Sequence, residues 1–591
     1  MRFTKIFSTL VVLLVINVSA FAQNKKVKLP ANWYNLDLGK DGYFGISTEK
    51  AYLELLKNKA PKQKVIVAVI DGGVDINHED LKDILWTNTK EIAGNGIDDD
   101  GNGYVDDVHG WNFLGSKGNN LAYDNLEMVR IIRKYQDKYK STLPTTALDS
   151  TEKEEYFLYD RARREFGIRY NEADESFRWI SMINHVIDSV ARINNKALPS
   201  AEDIEKYVAD SEEEVYVKKF IRSGIKDAGS DVKYFEEMKE TYRQYDVMLK
   251  YNLNMNYDKR KELVGDNYSN SEEKIYGNND VAGPNPDHGS HVAGIIAASR
   301  NNNIGINGIA NSVSIMAIRV VPEGDERDKD VANGIRYAVD NGAKIINMSF
   351  GKGFKWDKKV VDEAIKYAEE KGVLLVHAAG NENQNNDITE NYPNKYYDSP
   401  EALAYQKKNR KEISRFPVRT PDQSQRPSPT MGRYRSAIPK KVEMDTTKFA
   451  FPHASNWIEV GASAYANDAT LKASFSNYGK HIVDVFAPGF MINSTVPGSK
   501  YKENDGTSMA SPVVAGLAAL VLGYYPELSP AQLRDIIIKS VVKVPLKVKH
   551  KNEKGESIRI AFSDLSVSGG IVNAYNALKL AESYSTTAKT N

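Results

Sequence analysis

A serine, an aspartate, a pair of histidines and an asparagine stand in this chain in settings that suit acyl-transfer chemistry. Ser508 lies in Asp505-Gly-Thr-Ser-Met-Ala-Ser-Pro-Val-Val-Ala-Gly-Leu-Ala-Ala519. The stretch reads as a tight glycine-containing turn running into a helix. A serine at that junction has an exposed hydroxyl and a backbone N–H at a helix N-terminus, where a developing oxyanion would be held. Met509 and the small residues Ala510, Ser511, Ala515, Gly516, Ala518 and Ala519 let such a helix lie close to neighbouring backbone. Pro512 is read in the first turn, where a helix tolerates it. A serine hydroxyl is a poor nucleophile at neutral pH and needs a base within hydrogen-bond reach. An imidazole, with an ordinary pKa of about 6.5, can take that proton and return it to a leaving amine. A buried carboxylate can fix the imidazole tautomer and stabilise its protonated form. The plain alternative for the serine is an ordinary packed helix start.

The elements that must position these groups are legible as a regular pattern. Lys64-Val-Ile-Val-Ala-Val-Ile70 is a continuous, largely β-branched apolar run. Such a run suits a strand buried on both faces of a parallel sheet. Asp71 follows it, in the crevice beyond the strand ends where α/β sheets build sites. An aspartate that merely caps the next turn is the other reading. Asp287-His-Gly-Ser-His-Val-Ala-Gly-Ile-Ile-Ala-Ala298 is a helix entry, and on this pattern either His288 or His291 could be the base. Strands are predicted at Ser314–Val321, Lys344–Ser349 and Val373–His377, and helices at Asp330–Asn341 and Asp357–Lys371, stopped by Gly342 and Gly372. Asn381, in Ala378-Ala-Gly-Asn-Glu382, follows the last of these strands, although Gly-Asn there is more often a plain turn. Ile458–Ala462 resumes the core, Ala531–Val541 is a further helix, and a closing helix starts at Gly569 and ends near Ser583. The alternation argues a parallel α/β sheet.

Composition excludes several classes. The 79 basic and 79 acidic residues balance to a formal charge of +0, which gives no electrostatic argument for nucleic acid or an anionic membrane. With 0 cysteines there are no disulfides, no thiol catalysis and no Cys-ligated zinc. Residues 1–22 read as a signal peptide. Arg2 and Lys5 precede the apolar run Ile6–Val18, Ala20-Phe21-Ala22 supplies the cleavage pattern, and the run is shorter than the ~20 residues a span needs. The mature chain is expected to carry no membrane span and to be periplasmic or extracellular. Nothing in the sequence sets an oligomeric state.

Between these elements lie several other segments. In the lead-in, 23–64, Tyr34–Leu38 is predicted as a surface strand and Thr48–Leu56 as a helix capped by Thr48. Residues 121–280 read as an α-helical insertion. Phe177, Ile180, Ile183, Ile187 and Val190 form a helical stripe with His185 on its margin, Ser200 and Asp203 open a helix over Ala201–Ala209, and Tyr234–Tyr251 is another. Residues 385–450 read as a polar loop insertion and 584–591 as a polar tail. In the Asp98–Asp107 loop, Asp98, Asp100, Asn102 and Gly103 match the first half of an EF-hand-like calcium loop. His109 stands where a bidentate glutamate would be, and Asp106 or Asp107 is left to complete an oxygen cage. A solvated acidic turn is the other reading.

Four motifs resemble those of the subtilisin-like serine proteases: Asp71-Gly-Gly-Val74, His288-Gly-Ser-His-Val-Ala-Gly294, Ala378-Ala-Gly-Asn-Glu382 and Gly506-Thr-Ser-Met-Ala-Ser-Pro512. The order Asp71, His288, Ser508 is that family's order. The resemblance implies a three-layer α/β fold with a mostly parallel central sheet, spanning 65–583 around the insertions. It implies an Asp71–His288–Ser508 triad with His291 structural, and Asn381 as an oxyanion donor. It implies that Ser349-Phe350-Gly351 pairs with an extended peptide while Ala378, Ala379 and Gly380 line the first side-chain pocket. The activity implied is that of a serine endopeptidase acting on proteins or peptides through an acyl-enzyme, with no cofactor or metal in the chemistry. Peptide transfer on the same triad is the rival enzyme reading, and a catalytically silent binding scaffold the rival from another class. Two features depart from compact family members: 217 residues separate Asp71 from His288, and only about forty lie between the signal peptide and the first core strand, so the lead-in is assigned to the mature domain.

Overall fold

The apolar run at 65–71 forms strand β1 (Val65–Asp71), and its alternating side chains feed two different cores. Val65, Val67 and Val69 share one core with residues of the helices Asp287–Ala297 and Thr507–Tyr524. Ala68 and Ile70 share the other with residues of Asp328–Asp340 and Lys358–Glu370. A strand covered on both faces needs apolar residues at successive positions, which explains a continuous run instead of an alternating one. The remaining strands of the sheet are β2 (Gly110–Asn112), β3 (Val313–Arg319), β4 (Ile345–Met348), β5 (Leu374–Ala378), β6 (Trp457–Ser463), β7 (Val485–Pro488), β8 (Val542–Lys543) and β9 (Gly570–Ile571). Their order is β8-β9-β7-β6-β5-β4-β1-β3-β2. Neighbours pair in parallel except β8 with β9. The result is a three-layer α/β fold around a mostly parallel sheet.

This computed structural model describes residues 29–142, 146–300, 302–409, 446–552 and 555–588. The expected signal peptide at 1–22 lies outside the described residues, as do 410–445 of the expected loop insertion. Two compact units divide the chain: Tyr123–Tyr257 in one, and Leu29–Ala122, Asp258–Ile413 and Met431–Asn591 in the sheet-bearing other.

Register sets where the strand ends fall in the sheet-bearing unit. Ile70 pairs with Met348, and Met348 with His377. The C-terminal ends of β1, β4 and β5 are therefore level, and Asp71, Ser349 and Ala378 emerge at one edge. The lead-in belongs to the same core. Trp33 and Tyr34 are fully buried, and the Trp33 indole N–H donates to the Met491 carbonyl at 3.0 Å. The surface strand predicted at Tyr34–Leu38 is instead a 3-10 turn, Trp33–Asn35, and a short helix, Leu38–Asp41, because these aromatics serve as core anchors. Thr48 is not the cap of its helix: Ser47 holds that position with φ +60°, and its hydroxyl donates to Asp37. Residues 258–280 lie with the sheet, where the buried Arg260 pairs with Asp266 at 2.9 Å and Asp330 at 2.7 Å. The described part of 385–450 includes a helix, Pro400–Asn409. The closing helix, Ala574–Ala588, runs into the expected tail, with Tyr584 donating to Asp535 at 2.6 Å and Ser585 to Glu527.

The helical unit contains Glu127–Tyr139, the 44-residue Ser150–Ile193, Ala201–Lys206, Glu212–Ala228 and Asp231–Val247, followed by a π turn. Its core holds Trp179, Ile180, Ile183, Ile187 and Val190 with Ile221 and Phe235. His185 is exposed. Capping boxes at Asp149/Glu152 and Ser200/Asp203 satisfy N-terminal amides that the helices leave unpaired. Gly224 allows close packing, since a Cβ there would meet the Tyr234 ring at 2.2 Å.

Candidate active site

Asp71 stands at the end of β1, 2% exposed, and its Oδ1 accepts hydrogen bonds from the Gly72 N–H and from His288 Nδ1, both at 2.7 Å. His288 is the second residue of its helix and its side chain is 43% exposed. The pair thus has a buried acid behind an imidazole that opens to the outside. Burial pulls the His288 pKa down. The charge and hydrogen bond of Asp71 pull it up by more, with Asp287 adding to them, so it lies above the ordinary 6.5. Two glycines make this approach geometrically feasible. A Cβ on Gly289 would lie 2.1 Å from the Gly73 carbonyl oxygen, and one on Gly73, at φ +132°, would lie 2.1 Å from that of Ala282.

The sequence left the choice between the two histidines open, and geometry separates them. His291 is fully buried, its Nε2–H donates to the Lys502 carbonyl at 2.9 Å, and burial pulls its pKa down to about 3. It is a neutral packing residue, and among the described residues it makes no hydrogen bond to Asp71.

Ser508 is the second residue of the Thr507–Tyr524 helix and the one residue there that is not buried. Its hydroxyl donates to the Ser349 carbonyl at 3.0 Å, and the Ser349 hydroxyl donates to the Ser508 carbonyl at 3.0 Å. No Ser508–His288 hydrogen bond occurs among the described residues. Pro512 explains half of the exchange. It is the sixth residue of the helix, not a first-turn residue, and has no N–H to give to the carbonyl four positions back. That carbonyl is Ser508's, and Ser349 supplies the missing donor.

Asn381 follows β5 in an exposed turn. Its Oδ1 accepts from the Thr507 N–H at 2.8 Å and the Thr507 hydroxyl at 3.0 Å, and that hydroxyl accepts from the Gly380 N–H at 3.1 Å. A backbone N–H can only donate, so the oxygen of the amide must face Thr507. The Nδ2 end therefore faces away from Thr507 and stays at the helix start, 3.7 Å from where a Cβ on Gly506 would lie, with the Ser508 N at 3.5 Å from the same point.

The six other residues expected to contact substrate lie on two neighbouring segments. Ser349 is buried, Phe350 half-buried and Gly351 exposed beyond β4, while Ala378 and Ala379 are buried and Gly380 half-buried beyond β5. Sequence reasoning left the floor of the space between them unnamed. Asn391 reaches it: a Cβ on Gly351 would lie 2.8 Å from Asn391 Oδ1, and Asn391 Nδ2 donates to the Ala379 carbonyl at 3.5 Å. No local pattern marks Asn391, because its position follows from the loop fold alone.

In the acidic loop, one ligand atom each of Glu91, Asp98 and Asp100 lies within 4.8 Å of the others. Asp106 and Asp107, considered as cage members, are engaged elsewhere. Asp106 accepts from the amides of Gly94, Asn95 and Gly96, and Asp107 from Asn88, Asn102 and the Tyr337 hydroxyl. Glu91, which the motif does not include, is the third member of the cluster, and like Asp98 and Asp100 it also accepts from loop amides, in its case those of Asp99, Asp100 and Asp106.

The model of the Subtilase family matches residues 62–558. Subtilisin NAT of Bacillus subtilis subsp. natto is 34% identical over 252 residues, which are 42% of this chain and 49% of the relative. The subtilisin of Bacillus pumilus is 34% identical over 252 residues, covering 42% of this chain and 67% of the relative. Thermitase of Thermoactinomyces vulgaris is 37% identical over 235 residues, 40% of this chain and 60% of the relative. The chain thus spans between half and two-thirds of the length of these relatives. A mostly parallel sheet with two of these motifs at its level strand ends and the other two opening helices that share its core, together with a family model that matches residues 62–558, makes the chain a member of the subtilase family.

Proposed function

We propose that this chain is an exported serine endopeptidase that hydrolyses peptide bonds through an acyl-enzyme. The observation that carries the reading is the 2.7 Å bond between Asp71 Oδ1 and His288 Nδ1, which joins residues 217 positions apart. In this reading the peptidase domain is 65–583 with its insertions, the lead-in packs as part of it, and 1–22 is removed on export to periplasm or medium. The Ser508 hydroxyl turns about Cα–Cβ from the Ser349 carbonyl towards His288. Its oxygen attacks the scissile carbonyl carbon as its proton passes to His288 Nε2. The imidazolium is stabilised by Asp71. The oxyanion is held by Asn381 Nδ2 and the Ser508 N–H. The C–N bond breaks, the amine leaves with the proton from His288, and the acyl group stays on Ser508. Water then repeats the sequence and releases the carboxylate. The substrate strand lies along Ser349–Gly351, and its first side chain enters the space bounded by Ala378–Gly380 and Asn391.

The test is cleavage of casein and a peptide library by the chain from Gln23 onward, beside Ser508→Ala. A loss of at least about a thousandfold in the variant is expected. Equal cleavage by both would overturn the triad. Amine-capped products would indicate transfer in place of hydrolysis, and a folded protein whose Ser508 resists a fluorophosphonate would leave the silent scaffold.

Calcium is proposed as a structural ion of the 98–107 loop, held by Glu91, Asp98 and Asp100. An ion bound only by the folded state raises Tm by mass action. Millimolar calcium is expected to raise Tm over a chelator control, and Asp98→Asn to remove the difference. An unchanged Tm would leave the loop as a hydrogen-bonded acidic turn.

A further inference from the structure

Asn381 sits in a turn that no strand pairs, so something else must hold it to the accuracy an oxyanion donor needs. The buried side chain of Asn477, between β6 and β7, is built around that turn. Its Nδ2 donates to the Ala379 carbonyl at 2.9 Å and to Glu382 Oε2 at 3.0 Å. Its Oδ1 accepts from the Glu382 N–H at 3.0 Å and the Gln384 N–H at 2.8 Å. Its own backbone N–H donates to the Gly380 carbonyl at 2.9 Å. Both donors and both acceptors of the amide are therefore used, and every bond lands on residues 379–384, on either side of Asn381. Gly380, at φ +104°, admits the side chain: a Cβ there would lie 2.4 Å from Asn477 Nδ2.

We infer that Asn477 is a positioning residue for the oxyanion donor, acting through the turn that carries Asn381. The inference rests on the proposed role of Asn381. Asn381 has one anchor on the nucleophile helix, through Thr507, and a second on the opposite side, through Asn477. A donor serves an oxyanion only near 2.7–3.1 Å, so a turn free to shift by about an ångström loses the stabilisation while leaving substrate contacts in place. No other side chain is equivalent. Aspartate keeps the acceptors, loses both donors and sets a second carboxylate beside Glu382. Alanine strips the Glu382 and Gln384 amides of their acceptor.

The experiment is a double-mutant cycle on a chromogenic peptide amide, with Asn477→Ala, Asn381→Ala and both, and with Asn477→Asp as the second variant should alanine not fold. Asn477→Ala is expected to lower kcat by about ten- to a hundredfold with KM changed by less than about threefold. In the Asn381→Ala background the same change is expected to cost less than about threefold, since the group it positions is gone. A peptide aldehyde, whose adduct bears the oxyanion, should weaken with kcat across the series while a non-covalent product peptide does not. An equal loss of kcat in both backgrounds, or a rise in KM with kcat intact, would overturn the inference. An Asn381→Ala variant with undiminished kcat would overturn it along with the role of Asn381. Failure of the protease reading itself is separate: it would appear as a wild type no more active than Ser508→Ala.

Discussion

At the scale of single residues, the proposed chemistry depends on the balance of forces on one imidazole. Burial alone would push the His288 pKa below 6.5, and Asp71 reverses the sign. Because the base must be neutral, the acid limb of kcat/KM against pH is expected above 6.5 in the wild type. Asp71→Asn removes the charge that reverses the sign. The limb should then fall below 6.5 while kcat drops by about ten-thousandfold, since the amide no longer enforces the tautomer. A limb that does not move would assign it to another group. Asn381→Ala is expected to lower kcat by about a hundred- to a thousandfold with little change in KM, a magnitude that comes from this family. The residues proposed for catalysis were legible because each sits at an element end that leaves a local signature: a strand followed by Asp-Gly-Gly, a helix opened by His-Gly, a glycine turn before a serine. Asn391 and Asn477 leave no such signature. They act across loops, and only the fold brings Asn477 against Ala379–Gln384.

Among elements, the two helices that carry His288 and Ser508 are placed by what their side chains lack. Gly289→Ala would drive a methyl into the Gly73 carbonyl and towards Asp71. We expect a destabilisation of about 1–3 kcal/mol and a kcat loss of about a hundredfold, read by thermal unfolding and by turnover of a small amide. Activity loss without a change in Tm would mean that the helix shifts instead of straining. Alternation of apolar runs and glycine stops made the parallel sheet readable, and β1 begins within one residue of its sequence reading. Irregular segments were not readable in the same way. The aromatic Trp33 and Tyr34 carry β propensity and are instead helical anchors buried in the core. Pro512 was read at a tolerated first-turn position, yet it sits one turn further in, where its cost is met by the Ser349 hydroxyl. Propensity registers the residue; the compensating partner lies 163 positions away in the sequence.

For the whole molecule, the helical unit has its own core and a closed entrance. Tyr257 donates to the Tyr123 carbonyl at 3.3 Å, and Tyr123 stacks on Tyr251 at 4.1 Å. The chain therefore enters and leaves the unit at adjacent points, as an inserted domain does. Replacing 123–257 with a short glycine-serine linker is expected to leave the sheet-bearing unit folded and turnover of a tripeptide amide within about threefold. A collapse of that turnover, with an intact fold, would give the helices a part in the reaction. Casein cleavage measured beside it reports whether they select large substrates. Sequence marked this segment by composition and helical stripes. Its close at Tyr257 was not legible, because residues 258–280 remain polar and charged while spending those charges in buried pairs such as Arg260–Asp330.

The Thr507–Tyr524 helix has a consequence for biogenesis. It is 18 residues long with a mean hydropathy of 1.5, and 94% of it is buried in the folded protein. In the export proposed above, a chain crossing the translocation channel unfolded would present this segment to lipid before it has a core to enter. Its length sits at the lower edge of what spans a bilayer. Ala510, Ser511, Pro512, Ala515, Gly516 and Ala518 occupy positions where leucine or isoleucine would commit it to the membrane. If the chain is exported as proposed, the small residues that let the nucleophile's helix lie against its neighbours would also let it pass the channel without stopping.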